Sequence, residues 1–196
     1  MSKQQEEILE QLGALFGSLE PLELLPATDE DAYFCTPLGA RLIAHIGVDG
    51  VHFCDVPALG DTVFAVSPMG ELPYVCAVAE SLADFLGEVL ACGGAGAVEQ
   101  LAWMEDDAAA QDFLRHNHVW THGGTPEEVD AACRYFGTDM MPDGESSSAN
   151  RRACESLQAT CGIVPTEDVY AHIQAVRRGF DLGLLNFSEE YNELSE

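Results

Sequence analysis

The sequence predicts an α+β fold: an antiparallel meander of about four strands packed by helices, with a mostly helical C-terminal third. Short apolar runs separated by tight-turn signals fill the middle of the chain, and segments of helical periodicity flank them. With 196 residues, 47% of them hydrophobic, the chain is long enough for one substantial core. We divide it into an α+β core over residues 1–104 and a helical C-terminal extension, packed on that core, over residues 105–196.

The chain is predicted to open with an amphipathic helix from Gln4 to Phe16. Ile8 and Leu12 belong to an apolar face at helical spacing, and Gly17 is expected to end the helix. The residues that follow, up to Pro37, read as mixed and irregular.

Four strands are predicted in the middle of the chain. The dipeptide Asp49-Gly50 suits a tight hairpin turn between the first two, because both positions tolerate positive φ. Alternation along the second strand sets Phe53 on one face and Cys54 on the other. The predicted strands are Arg41–Ile46, Val51–Val56, Thr62–Val66 and Tyr74–Val78.

The clearest helix is predicted to begin at Ser81, a good N-cap, and to stop at Gly93-Gly94. The run from Gly93 to Gly96 is interpreted as a turn between helices rather than a phosphate loop, since no lysine or arginine stands nearby. Further helices are predicted over Ala97–Trp103 and Ala108–His116.

The C-terminal part is predicted to be helical with one interruption. Thr125 and Glu128 form a capping box at the start of one helix, and Thr166 is expected to cap the last. The polar segment from Thr138 to Asn150 is interpreted as a linker. The acidic tail after Asn186 is expected to fray at its final residues.

The charge is the most unusual property of the chain. Its 34 acidic residues face 8 lysines and arginines, which gives a formal net charge of −26. Such an excess repels phosphate backbones and anionic lipid surfaces, so we expect no direct nucleic-acid binding and no membrane binding. A basic protein partner is compatible with it, and solubility alone is the alternative explanation.

Cellular location is predicted from what the sequence lacks. The first ten residues are polar, without the pattern of a signal peptide, and no run of about 18 apolar residues is present. The 7 cysteines are odd in number and include no C-x-x-C pair. We therefore expect a cytoplasmic protein with reduced, buried cysteines.

A candidate ligand cluster for a metal is formed by His116, His118 and His122, whose imidazoles could hold zinc or nickel. His118 and His122 share a face only if that stretch is helical, and Gly123 and Gly124 favour a helix end or a loop. A surface loop with incidental histidines is therefore the alternative.

Motifs of catalysis are missing from the sequence. It contains no H-E-x-x-H, no G-x-S-x-G, no P-loop and no G-x-G-x-x-G. The carboxylate runs Asp29–Asp31 and Glu105–Asp107 read as solvated faces or helix starts. We therefore predict that the chain is not an enzyme and holds no cofactor, with a metal-binding protein or metal-dependent enzyme using the three histidines as the alternative.

The stretch from Ile46 to Cys92 resembles the SUKH superfamily, the fold of the fungal cell-wall-synthesis regulator and of many bacterial immunity proteins. In that superfamily an aromatic-rich strand follows a glycine turn, more strands pair with it, and a helix of the form Ser-x-x-x-Phe-Leu closes the sheet. The residues that match this order are Phe53, Phe64, Ser81, Phe85 and Leu86. The resemblance covers about a quarter of the chain and makes residues 1–104 a SUKH-like core.

The resemblance implies a binding module without catalysis. Many bacterial relatives are immunity proteins that neutralise a toxin, often a nuclease, made by the same lineage. The predicted function is therefore a protein-binding module, an immunity protein or a regulatory partner, which acts through its acidic surface. The predicted partner is a basic toxin or nuclease, whose nucleic-acid cleft an acidic protein could occupy.

Overall fold

The structure, a computed structural model, describes residues 2–70, 72–139 and 144–194. It confirms the α+β class, with a single antiparallel sheet over the described residues and a helical C-terminal region. The strands lie side by side in chain order. They are β1 (Leu25–Pro26), β2 (Arg41–His45), β3 (His52–Asp55), β4 (Val63–Val66) and β5 (Val75–Ala79).

Strands β2 to β5 are the four predicted from the apolar runs. The two-residue β1 was not predicted, and it extends the sheet by pairing Leu25 with His45. Each strand pairs antiparallel with the next, so the β2–β3 and β4–β5 connections leave the sheet at the same end. This common end gathers residues that are distant in sequence.

The helices cover the sheet and extend beyond it. Their bounds are α1 (Lys3–Leu19), α2 (Leu82–Cys92), α3 (Ala95–Trp103), α4 (Asp107–His122), α5 (Pro126–Phe136), α6 (Gly144–Cys161), α7 (Val169–Gly179) and α8 (Glu189–Leu194). Ser81 caps α2, and the capping box of Thr125 and Glu128 begins α5, both as predicted.

Several predicted helix ends were wrong. Gly17 does not stop α1, which continues to Leu19. Most of the predicted linker belongs to α6, from Gly144 onward, while residues 140–143 lie outside the described part of the chain. Asp168, not Thr166, caps α7, because the Asp168 carboxylate accepts the Ala171 N–H at 3.0 Å.

The sheet is buried on both faces, which explains why its strands read as unbroken apolar runs. One face packs into what we call the helix-side core, where the rings of Phe53 and Phe85 lie 4.5 Å apart. The C-terminal helices α4, α6 and α7 add Phe113, Leu157 and Ile173 to the same core.

The other face of the sheet packs into a smaller cluster, the tail-side core. Phe64 meets Phe180 edge to face at 4.9 Å, and Phe187 stacks on Tyr191 at 4.0 Å. The acidic tail after Asn186 therefore forms α8, because its aromatic residues cover the sheet. Fraying was predicted only for its final residues. The last two residues lie outside the described range.

A buried polar network joins α1 to the sheet and to α2. The Gln5 side-chain amide donates to Asp55 Oδ2 at 3.0 Å and accepts the Leu82 N–H at 3.0 Å. The Arg41 guanidinium holds the same carboxylate through both Nε and Nη2. Asp55 has no exposed side-chain surface, so its charge depends on these partners.

The seven cysteines are all free thiols, and Cys35, Cys54, Cys76 and Cys92 are buried. Burial raises the pKa of Cys35 to about 11 and that of Cys92 to about 12, which keeps both protonated at neutral pH. These two therefore act as small apolar side chains. Across the described residues, no helix has the length and apolar character needed to cross a membrane.

Gly87 provides a test of how tightly the segment before α7 packs on α2. A Cβ at Gly87 would lie 2.8 Å from the carbonyl oxygen of Val164. We expect Gly87→Ala to lower the free energy of unfolding by about 1–3 kcal/mol despite the better helix propensity of alanine. Urea denaturation followed by circular dichroism measures this change.

Gly13→Ala in α1 is the matched control, because nothing lies within 4 Å of the added Cβ. It should stabilise the protein by about 0.5–1 kcal/mol. Equal stabilisation by the two substitutions would contradict the tight contact at Gly87.

Candidate binding surfaces

The three histidines proposed as metal ligands lie on one helix rather than in a loop. Helix α4 continues to His122 and is capped by Gly123, so the helix end expected at the glycines is confirmed, whereas the surface loop and the predicted end at His116 were wrong. His116 stacks on Tyr135 at 4.4 Å, whereas His118 and His122 stack on each other at 4.5 Å. The first histidine is therefore engaged separately from the other two.

Within the residues that the structure describes, no group of three or more His, Cys, Asp or Glu side chains could hold a metal ion. The Nδ1 of His116 donates to the carbonyl oxygen of Asp112 at 2.7 Å, and His122 Nδ1 lies 2.7 Å from the Thr121 hydroxyl. The metal-binding alternative stays a prediction and now depends on the pair of His118 and His122.

Four exposed apolar side chains share the end of the sheet where the β2–β3 and β4–β5 connections lie. Their exposed fractions are 45% for Tyr33, 59% for Val48, 75% for Met69 and 50% for Leu72. Exposed apolar groups that cluster in this way are typical of protein interaction sites. We call these four residues, with the acidic residues beside them, the hairpin-end surface.

Contacts between the turns support this grouping. The Tyr33 ring lies over Gly50, where a Cβ would come within 2.4 Å of the ring, so glycine is required at that turn position. Burial raises the pKa of Glu99, whose carboxylate hydrogen-bonds Ser67, and the charge of Asp49 raises it further. Asp49 in the β2–β3 turn and Ser67 at the end of β4 are thus both close to Glu99.

Carboxylates border the hairpin-end surface. Asp29, Glu30 and Asp49 are exposed, and Asp31 is half-buried. The backbone N–H of Thr28 donates to Asp31 at 2.7 Å and lowers the pKa of that carboxyl, so it is charged at neutral pH. The described segments that form this surface, residues 29–36, 46–51, 67–70 and 72–74, contain no lysine and no arginine.

His52 lies beneath this surface as a structural residue. Its Nδ1 lies 2.8 Å from the carbonyl oxygen of Gly50, which can only accept, so the proton is on Nδ1. Its Nε2 then accepts from the Thr36 hydroxyl at 3.0 Å. Burial lowers the pKa of His52, so the neutral ring positions the turn that presents Tyr33.

A buried carboxylate–imidazole pair lies between α2 and α7. Glu88 Oε1 is 2.7 Å from His172 Nδ1, and the Glu88 side chain has no exposed surface. Its second oxygen, Oε2, is buried without a hydrogen-bond partner among the described residues. Burial raises the pKa of Glu88 to about 7, and the hydrogen bond to Glu88 raises the pKa of His172.

A cavity of about 640 Å³ opens among α3 to α6, the turn between α2 and α3, and the turn that follows α1. One wall is aromatic: Phe136 meets Trp120 at 5.3 Å and Phe113 at 6.2 Å between ring centroids. Glu20 and Glu23 also line the cavity. Among its described lining residues there is no lysine, arginine or histidine.

The Glu23 carboxylate is seated on the glycine run between α2 and α3. Its Oε2 accepts the Gly96 N–H at 2.9 Å, at the N-terminus of α3. A Cβ would lie 2.6 Å from that oxygen at Gly96 and 3.0 Å at Gly94. The run is a helix-to-helix turn, as predicted, and the anion at the helix N-terminus is the protein's own carboxylate.

Sequence reasoning missed both the Glu88–His172 pair and the cavity. The signal that could have indicated the pair is Glu88, a glutamate inside an otherwise apolar helix. No local signal marked the cavity, because its walls come from helices far apart in the chain. No protein-family model, curated protein or solved structure matches this chain.

Proposed function

We propose that this chain is a non-catalytic protein-binding module that binds a basic protein through the hairpin-end surface. Four exposed apolar side chains lie at one end of the sheet beside a border of carboxylates, and the described residues of the segments that form this surface include no lysine or arginine. This combination is the observation that carries the proposal. Apolar anchors inside a polar rim are the usual arrangement of a specific protein interface.

The two components of the surface have different physical roles. Burial of Tyr33, Val48, Met69 and Leu72 would supply the free energy that slows dissociation, since exposed apolar side chains gain most when a partner covers them. The carboxylates would steer a cationic partner toward the surface and raise the association rate. They would also oppose nucleic acids and anionic membranes.

The charge of the whole molecule and the resemblance to the SUKH superfamily favour one class of partner. A net charge of −26 suits a strongly basic protein, and many bacterial members of the superfamily are immunity proteins. We propose an immunity role in the bacterial cytoplasm, against a basic toxin such as a nuclease, with a regulatory partner as the alternative within the same class.

The test uses the most basic protein encoded beside this chain's gene as the binding partner. We expect association to slow at least tenfold between about 50 mM and about 500 mM NaCl, because salt screens the steering charges. Met69→Ser should speed dissociation, and a Glu30→Gln, Asp49→Asn double variant should slow association. Surface plasmon resonance measures both rates.

Matched variants outside the surface serve as controls. Val164 is 77% exposed, close to Met69, and Asp130 is an exposed acid on α5. Val164→Ser and Asp130→Asn should leave both rates unchanged. Equal effects inside and outside the hairpin-end surface, or rates indifferent to salt, would refute the proposed interface.

A further inference from the structure

We infer that the cavity bordered by Trp120 and Glu23 is a binding site for a compact organic cation, of the arylalkyl-ammonium class. A volume of about 640 Å³ lies in the range of small-molecule sites, which is roughly 300–1,000 Å³. The site is separate from the hairpin-end surface and shares no residue with it, so either assignment can fail without the other.

The two asparagines that line the cavity favour a ligand that donates hydrogen bonds. Asn150 Nδ2 donates to the carbonyl oxygens of Pro21 at 3.1 Å and Gly93 at 2.6 Å. Asn117 Nδ2 donates to the carbonyl oxygen of Cys92 at 2.7 Å. Because carbonyl oxygens can only accept, these contacts fix which atom of each amide is nitrogen. Both N–H groups of Asn150 are used by the backbone, so this amide has no donor left for a ligand, and its Oδ1 accepts a weak hydrogen bond from the Cys154 thiol at 3.7 Å.

The carboxylates of the cavity favour a cationic ligand over a neutral ligand that donates hydrogen bonds. Glu20 and Glu23 both line the cavity and no lysine or arginine among the described lining residues opposes them. The contact of Glu23 with the Gly96 N–H occupies Oε2 and holds the side chain in place. A carboxylate held in this way can bind an ammonium group without first losing its own conformational freedom.

The aromatic wall selects the rest of the ligand. Trp120 and Phe136 are half-buried and Phe113 is buried, so their rings can take up an aryl or alkyl body. Ring faces also attract an ammonium group directly, and tryptophan does so most strongly. An organic anion would meet two carboxylates and, among the described lining residues, no cationic side chain.

The experiment uses Trp120 as the reporter. The chain has 2 tryptophans, so Trp103→Phe leaves the indole in the cavity as the only one. Phenethylammonium, 2-phenylethanol and 3-phenylpropanoate share an aryl body and differ in charge. We expect phenethylammonium to change the fluorescence with a Kd of about 0.1–1 mM, the alcohol to bind roughly tenfold more weakly, and the carboxylate not to bind up to about 10 mM.

Variants separate the site from the general attraction of an acidic protein for cations. Glu23→Gln keeps an oxygen that can accept the Gly96 N–H and should weaken phenethylammonium binding about tenfold. Glu20→Gln is a second cavity variant. Among the described residues, the Glu20 side chain makes no hydrogen bond like that between Glu23 and the Gly96 N–H. Glu30→Gln, at the hairpin-end surface, removes the same charge outside the cavity and should leave the Kd unchanged.

Three outcomes would overturn the inference: no fluorescence change with phenethylammonium at about 10 mM, equal Kd values for the ammonium and the alcohol, or equal losses from Glu23→Gln and Glu30→Gln. Thermal denaturation of each variant establishes that it is folded before titration. The comparison of the three ligands on the Trp103→Phe protein does not depend on the Glu23 variant. It therefore tests the inference even if Glu23→Gln folds poorly.

Discussion

Replacing Arg41 with alanine is expected to lower the free energy of unfolding by about 3–5 kcal/mol. The Arg41 guanidinium holds Asp55 through Nε at 3.1 Å and through Nη2, and the Asp55 side chain is fully buried. Without Arg41, the buried carboxylate retains only the Gln5 amide as a side-chain partner in the network described above. Urea denaturation followed by circular dichroism measures the loss.

Two further variants distinguish a buried charge from lost packing. Asp55→Asn in the Arg41→Ala background removes the uncompensated charge and should recover part of the loss, so the two changes are not additive. Arg115→Ala breaks a pair with Asp112 in which Arg115 is 71% exposed, and should cost about 0–1 kcal/mol. A loss for Arg41→Ala no larger than that for Arg115→Ala would contradict the role of the network.

Replacing Glu88 with glutamine is expected to stabilise the protein at alkaline pH by about 2–3 kcal/mol and to have little effect near pH 5. Burial raises the pKa of Glu88 to about 7, from an ordinary 4.5. Between these values the folded state keeps a proton that the unfolded state has released. This contribution to stability is therefore complete below pH 4.5 and is lost as pH rises through 7.

His172 changes stability in the same direction. Its hydrogen bond to Glu88 raises its pKa above the ordinary 6.5, so the folded state also favours its protonated form. Glutamine has nearly the same shape as glutamate and its oxygen can still accept the His172 N–H, but it cannot ionise, so it removes the cost of a buried charge. Denaturation of both proteins between about pH 5 and pH 8.5 measures the difference.

Glu155→Gln is the control for the general repulsion in a protein of net charge −26, because Glu155 is exposed on α6. It should shift stability by the same small amount at every pH. If the difference between Glu88→Gln and the parent does not grow with pH, the buried carboxyl is not the group that titrates.

The sheet was predictable because its signals are local. Each of β2 to β5 is an apolar run bounded by turn residues, and Asp49-Gly50 fixes one connection through its positive φ values of 52° and 69°. Strand β1 has two residues, one of them a proline, and carries no periodicity that could be recognised. Strand β1 forms because Leu25 and Pro26 pair with the longer strand β2.

Helix lengths were predicted less well, since tertiary packing overrides weak local preference. Gly17 lies in α1, whose Leu19 is buried in the helix-side core and holds the last turn. The serines from 146 to 148 suggested a linker, yet Asn150, Ala153 and Leu157 bury one face of α6. That burial outweighs the poor helix propensity of its first turns.

The candidate sites depend on distances that no single segment encodes. Apolar periodicity predicted only that α2 is amphipathic and packs on the sheet. The chain from Val164 to Thr166 covers Gly87, and helix α7 covers Glu88, so α2 is buried on that side as well. The cavity and the hairpin-end surface likewise require residues from several elements. The composition could indicate a cationic partner, but not where on the molecule it would bind.

Helix α7 inserts Ile173 into the helix-side core and Val176 into the tail-side core, at the edge of the sheet beside β5. The same rigid helix thus packs against two hydrophobic cores. We therefore expect the C-terminal segment to unfold together with the sheet and not as a separate unit.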